Sequence, residues 1–242
     1  MMPGDSRQHF ERTHWSLVMR CDQPLATDAR EALVELCLRY WYPIYAYLRR
    51  DGRSPAGAQE ITRSFLQHLF RHFRDGGTAL AQGRFRQYLL ARLRAFLESE
   101  QPVAPVVDVV TELIEPPPDL ESRYQRDNGS GAQSPEQAYQ LGFALELLAR
   151  ACDRLRAEAG QTGRLDMYDA LQPFLAIDLP SAEAEELGRR FGTRSVVVAV
   201  ALRRLRQRFR ELIDTELADT VASADELLAE QHALFAVLRE RG

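Results

Sequence analysis

The sequence predicts an all-α protein of two helical domains joined by a linker rich in proline, glycine and acids, the second domain containing a helix-turn-helix. Three observations lead there. Apolar residues recur at helical spacing almost everywhere, and only the short run VVDVV at 106–110 alternates with period two. Residues 101–134 change character, with a triple proline and a Gly-Ser cluster between strongly periodic flanks. Finally, AEAEELGRRFG, a turn at Gly192 and Thr193, and RSVVVAVALRRLRQRFREL have the proportions of two helices meeting at a short turn. The expected divisions are 1–100, a linker over 101–134, the helix-turn-helix domain over 135–221, and a C-terminal helical extension over 222–242.

Taken in order, a first helix is expected from His14 to about Cys21, capped by Thr13. Asp28 opens a long one whose apolar face is Leu33, Leu36, Cys37, Tyr40, Trp41, Ile44, Tyr45 and Leu48. Pro43 lies inside it and should bend it, because proline removes a backbone donor and crowds the preceding turn. The next helix starts with Ser54 as cap and Pro55 at its first position, and its core stripe is Ala58, Ile61, Phe65, Leu66, Leu69 and Phe70. GRFRQYLLARLRAFLESE follows from Gly83. After the linker, Ser134 caps a helix whose first turn is supported by Glu136. GRLDMYDALQPFL and SAEAEELGRRF are two shorter helices, then comes the arginine-rich helix, then a terminal helix from Ser223 whose simplest role is to cap the C-terminal core.

Composition narrows the function. The 242 residues are 45% hydrophobic, enough for a proper core. Lys and Arg number 31 against 35 acids, so the net charge is -4 and any basic surface must be local. Cys21, Cys37 and Cys152 are scattered without metal spacing, which fits buried thiols in a reducing, cytoplasmic compartment. No run reaches the length of a secretory or membrane-spanning segment, so a soluble protein without membrane insertion is expected.

The basic surface is found between Arg189 and Arg210. No acid occurs there, and arginines stand at 189, 190, 194, 203, 204, 206, 208 and 210. Leu187, Phe191, Val197, Val198, Ala201, Leu202, Leu205, Phe209 and Leu212 are the expected packing face; Arg194, Ala199, Arg203, Arg206 and Arg210 lie opposite. Such a stripe in an acidic protein suits phosphate contact. Arg189, Arg190, Arg194, Ser195, Arg203, Arg204, Arg206 and Arg208 are the candidate DNA-binding residues.

With that unit, the segments THWSLV (13–18), YWYPIYAYLRR, GRFRQYLLARLRAFL and the paired ending RELI and ELADTV resemble the extracytoplasmic-function branch of the bacterial sigma-70 family. The resemblance covers most of the chain outside the linker. It implies a non-enzymatic subunit, needing no cofactor, that directs core RNA polymerase to promoter DNA. It also implies a polymerase-binding helix with Glu60, Ile61, Thr62, Phe65 and Leu66, and leaves open control by an anti-sigma protein or a Ser/Thr kinase. Arg84, Arg86, Arg92 and Arg94, among the aromatics Phe85, Tyr88 and Phe96, could offer cations and stacking platforms to an unpaired strand.

Three departures from the family pattern stand out. The polymerase-binding helix retains only Glu60 of several expected acids; Thr62 and Ser64 suggest that phosphorylation restores the charge. Glu98 to Ser122 carries seven acids and no Lys or Arg where relatives are basic. The base-facing positions Thr193, Arg194, Ser195, Val196, Ala199 and Arg203 include apolar residues that can touch little beyond a thymine methyl. An alternative therefore stands beside the sigma reading: a sigma-derived interaction module that no longer opens promoters and acts through protein partners. His68 and His72, one turn apart, lack a third ligand, so no metal is expected.

Overall fold

A computed structural model describes residues 27–74, 84–99, 116–128, 134–221 and 223–241. All regular structure among them is helical: α1 Thr27–Arg50, α2 Pro55–Arg74, α3 Phe85–Glu98, α4 Leu120–Asn128, α5 Pro135–Gln161, α6 Leu165–Leu171, a 3-10 turn Gln172–Phe174, α7 Ser181–Arg190, α8 Ser195–Ala218 and α9 Ala224–Arg241. The expected helix at 14–21, the THWSLV segment, the VVDVV run and most of the expected linker lie outside the described residues. No described helix is long and apolar enough to cross a membrane.

By contact, the chain divides into two compact units, 1–146 with 217–242, and 147–216. In the first, α1 is the central element. From Arg39 to Leu48 every residue is buried, the tyrosines outside the expected apolar face included. Aromatic packing fills the space on one side: Tyr40 lies edge-on to Phe85 at 5.0 Å and stacks on Phe143 at 5.4 Å. Pro43, inside α1, meets Gly142 of α5, where an added Cβ would come within 3.0 Å of Pro43 Cα.

Local chemistry explains where the helices begin. Ser54 Oγ accepts the Gly57 amide at 3.1 Å with Pro55 at the first position of α2. At α5, Ser134 Oγ accepts the Gln137 amide while Gln137 Oε1 accepts the Ser134 amide, so Gln137 closes a reciprocal cap, and Glu136 stands in the first turn as expected. Ser223 Oγ caps α9 through Glu226 N at 3.2 Å.

Within the sequence's proline-rich stretch, α4 is ordered by α1. Glu121 receives Arg49 Nε and Nη2, each at 2.8 Å, and the Tyr45 hydroxyl at 2.6 Å. Arg49 is the main reason the Glu121 carboxyl is held down at about 2. Arg123 lies 3.8 Å over the Tyr42 ring and donates to Glu146 at 2.7 Å. At least one acid of the 98–122 stretch is thus neutralised internally and does not act as a repeller of phosphate.

In the second unit, Leu171, Leu187, Val198 and Leu202 form one buried cluster, and Ala151, Leu155, Tyr168 and Leu212 another. Glu216, 2% exposed, is held by Arg150 Nε at 3.1 Å and Arg154 Nη1 at 2.7 Å. The terminal helix α9 groups with the first unit.

Candidate nucleic-acid interface

The second unit presents α7, a tight turn and α8. Gly188 accepts the Thr193 amide at 2.8 Å, and Gly192 takes the left-handed conformation with φ 62°. A Cβ on Gly188 would sit 2.9 Å from Thr193 O and 3.1 Å from Ser195 N, so only glycine lets the turn fold this closely on α7.

The start of α8 is SVVVAVA, and a helix cannot turn every member of such a run inward. With about 100° between neighbours, Val198 faces the core while Val196, Val197 and Val200 look out. Val197, expected in the packing face, is therefore exposed. Leu187, Val198, Leu202 and Leu212 are buried as expected, with Phe191, Ala201, Leu205 and Phe209 packed partly buried against them.

The arginines separate into groups with different partners. Arg206 turns back on its own unit and donates twice to Phe174 O, at 3.1 and 2.9 Å, and again to Ile177 O, thereby holding the loop after the 3-10 turn. Arg208 donates to both Glu158 oxygens at 2.9 and 2.7 Å and to Glu211 at 3.0 Å. These carboxylates raise its pKa, Glu158 most. Arg189 pairs with Glu186, and Arg190 lies over the Phe191 ring at 5.2 Å. Arg194, Arg203, Arg204 and Arg210 are exposed and make no ion pair among the described residues. Ser195 is half-buried at the first turn of α8.

Between α7 and α8 runs a groove of about 700 Å³. Leu179, Ala184, Val196 and Ala199 give it apolar walls, and Arg203 and Arg210 stand on its rim. Asp178 and Glu185 also line the groove, so the surface offers cations for phosphates beside acids that oppose them, and methyl groups for an apolar contact.

The other predicted sites lie in the first unit. On α2, Glu60 is exposed and Ile61 half-buried, whereas Phe65 and Leu66 are core residues. Thr62 is 0% exposed and donates to Ala58 O at 2.7 Å, so its hydroxyl is closed to a kinase; Ser64 is half-buried. On α3, Arg86 is buried, Arg84 is half-buried, Arg94 pairs with Glu136 at 2.6 Å, and Arg92 is half-buried with no ion pair among the described residues. Phe96 packs on Phe65 at 5.5 Å and on His68 at 5.4 Å, inside the domain. Burial and the nearby Arg92 and Arg71 lower the His68 pKa. Among the described residues no group of three or more His, Cys, Asp or Glu is placed to hold a metal ion.

Sequence reasoning left Arg210 out of the DNA-binding set and missed the internal partners of Arg206 and Arg208. The signal for Arg208 was present, since Glu211 lies three residues on, within reach along a helix. Comparison with family models, curated proteins and solved structures found no match to this chain.

Proposed function

We propose that the chain is a sigma factor of the extracytoplasmic-function type, which binds core RNA polymerase through α2 and lies on promoter DNA through a helix-turn-helix formed by α7 and α8. One observation carries the DNA half of this reading: the exposed Arg194, Arg203, Arg204 and Arg210, unpaired among the described residues, lie on a single helix or at its entry in a protein of net charge -4. The polymerase half rests on the resemblance of YWYPIYAYLRR and its neighbours to sigma factors. On α2 the contact would use Glu60 and Ile61, with Thr62, Phe65 and Leu66 shaping the helix from beneath. Phosphorylation at Thr62 is set aside in this reading because the hydroxyl is buried.

The test has two arms. Purified protein is passed with core polymerase from its source over a sizing column, and its binding to duplex DNA is followed by anisotropy over a range of salt. Co-elution together with steep salt dependence supports the proposal; absence of both from a folded, helical protein sinks it.

A second reading is favoured by a specific feature. Val196 is 67% exposed, and Val197 and Val200 are also open, which is unusual at a surface whose only task is phosphate contact. In that reading the same face packs on a protein partner and promoter opening has been lost. Val200→Glu separates the two: it leaves polymerase co-elution intact in both, but abolishes partner or self-association only in the second.

A further inference from the structure

A buried carboxylate on α9 occupies a site made by α3. Glu230 is 1% exposed, with Oε1 at 3.2 Å from Arg84 Nη1 and Oε2 at 2.9 Å from Arg86 Nη2. The site is built on both sides. Tyr139 donates its hydroxyl to Arg86 O at 3.1 Å, the Arg86 guanidinium lies 5.1 Å over the Phe143 ring, and Phe85 N donates to Thr220 O at 3.1 Å just ahead of α9. These residues all belong to the first unit.

The rest of α9 is weakly seated. Among its described apolar side chains only Leu234 is buried; Leu227, Ala233, Val237 and Leu238 are partly covered, and Leu228 and Phe235 are each 55% exposed. Docking therefore joins the ion pair to a modest apolar contact centred on Leu234. A buried carboxylate is tolerated only while its partners are in place, so partial release is disfavoured and the helix is either docked or free. Hydrogen bonding in the cluster is also incomplete: the contacts of both Glu230 oxygens are charge pairs without hydrogen-bond geometry, and Arg86 Nε finds no acceptor among the described protein atoms.

The same arginines suit another ligand. A phosphate presents anionic oxygens of the same reach as a carboxylate and pairs with guanidinium groups at least as well. Tyr88, half-buried beside them on α3, supplies an aromatic ring of the kind on which unpaired bases stack, while Phe85 is packed in the core.

We propose that Glu230 stands in for a nucleic-acid phosphate, and that α9 is a latch which closes the Arg84 and Arg86 site to single-stranded DNA until it is displaced. The inference rests on the reading of this chain as a protein that engages melted promoter DNA. It adds that the chain carries its own competitor for the strand.

The experiment uses the full chain and a labelled single-stranded oligothymidylate at low salt. Glu230→Gln keeps the shape and removes the charge; it should bind the strand at least about tenfold more tightly than wild type, and adding Arg84→Gln with Arg86→Gln should cancel the gain. Duplex binding through Arg203 and Arg204 is measured alongside and should not change, so its absence counts against the proposed function and leaves the latch to be judged on the single strand. Because the variant could unfold, hydrogen exchange on the wild type is the second measurement. Excess oligothymidylate should speed exchange over residues 224–241 while leaving α2 protected. Equal strand affinity of a folded Glu230→Gln variant and wild type overturns the latch. So does exchange in α9 that is unmoved at the highest oligonucleotide concentration.

Discussion

A single carboxylate, Glu121, ties α4 to α1 through Arg49 and the Tyr45 hydroxyl. Its folded pKa is about 2 against an ordinary value of 4.5, so the sign of the pH effect is fixed. The contribution is complete above about pH 4.5, where the unfolded chain is also ionised, and is lost as the pH falls towards 2. Thermal melts of wild type should fall through that window, while Glu121→Gln should start lower and lose less; parallel curves would contradict the pairing. Two glycines act at the same scale. Gly192→Ala must hold a side chain at φ 62°, which costs about 1–2 kcal/mol. Gly188→Ala adds a Cβ against backbone atoms that cannot swing away, for a cost of about 1–3 kcal/mol. Denaturant melts should show both losses.

At the scale of the element, α8 combines structural and outward-facing arginines on one helix. Arg206→Ala removes the donor that holds Phe174 O and Ile177 O, and should lower the melting temperature with little change in the salt slope of duplex binding. Arg203→Ala with Arg204→Ala should leave stability within about 0.5 kcal/mol and reduce the slope by about 0.9 for each phosphate that is no longer neutralised. Equal effects of the two changes on stability and slope would remove this division. The helix could be read in the sequence from its periodicity, and so could its arginine stripe. Which arginines are engaged could not be read, because the acceptors of Arg206 are backbone carbonyls about thirty residues away and carbonyls carry no sequence signature. α1 shows a related gap: Cys37, Tyr40, Trp41, Ile44, Tyr45 and Leu48 of its expected apolar face are buried, but so are Tyr42 and Tyr47 outside that face.

For the whole molecule, the first unit is assembled from chain segments at both ends, with residues 217–242 joining 1–146. Arg39 Nη2 reaches Asp219 at 3.2 Å, and Glu230 reaches the arginines of α3. Truncation after Glu216 should therefore loosen the N-terminal helices although it removes only distant sequence. Hydrogen exchange over residues 39–48 should accelerate in the truncated chain; unchanged protection there would mean that α1 folds without the C-terminal segment.

By itself the sequence determined the helical class, the capping of α2 at Ser54, the bulk of the core positions and the acid-free arginine stretch, because periodicity, cap chemistry and local charge are short-range properties written in neighbouring residues. The tertiary structure alone decided that Thr62 is closed to modification, that Val197 faces outward, that Arg206 is spoken for, and that Glu230 occupies the arginines of α3. Those outcomes depend on burial and on partners tens to more than a hundred residues apart, and no local pattern encodes which buried charge will meet which.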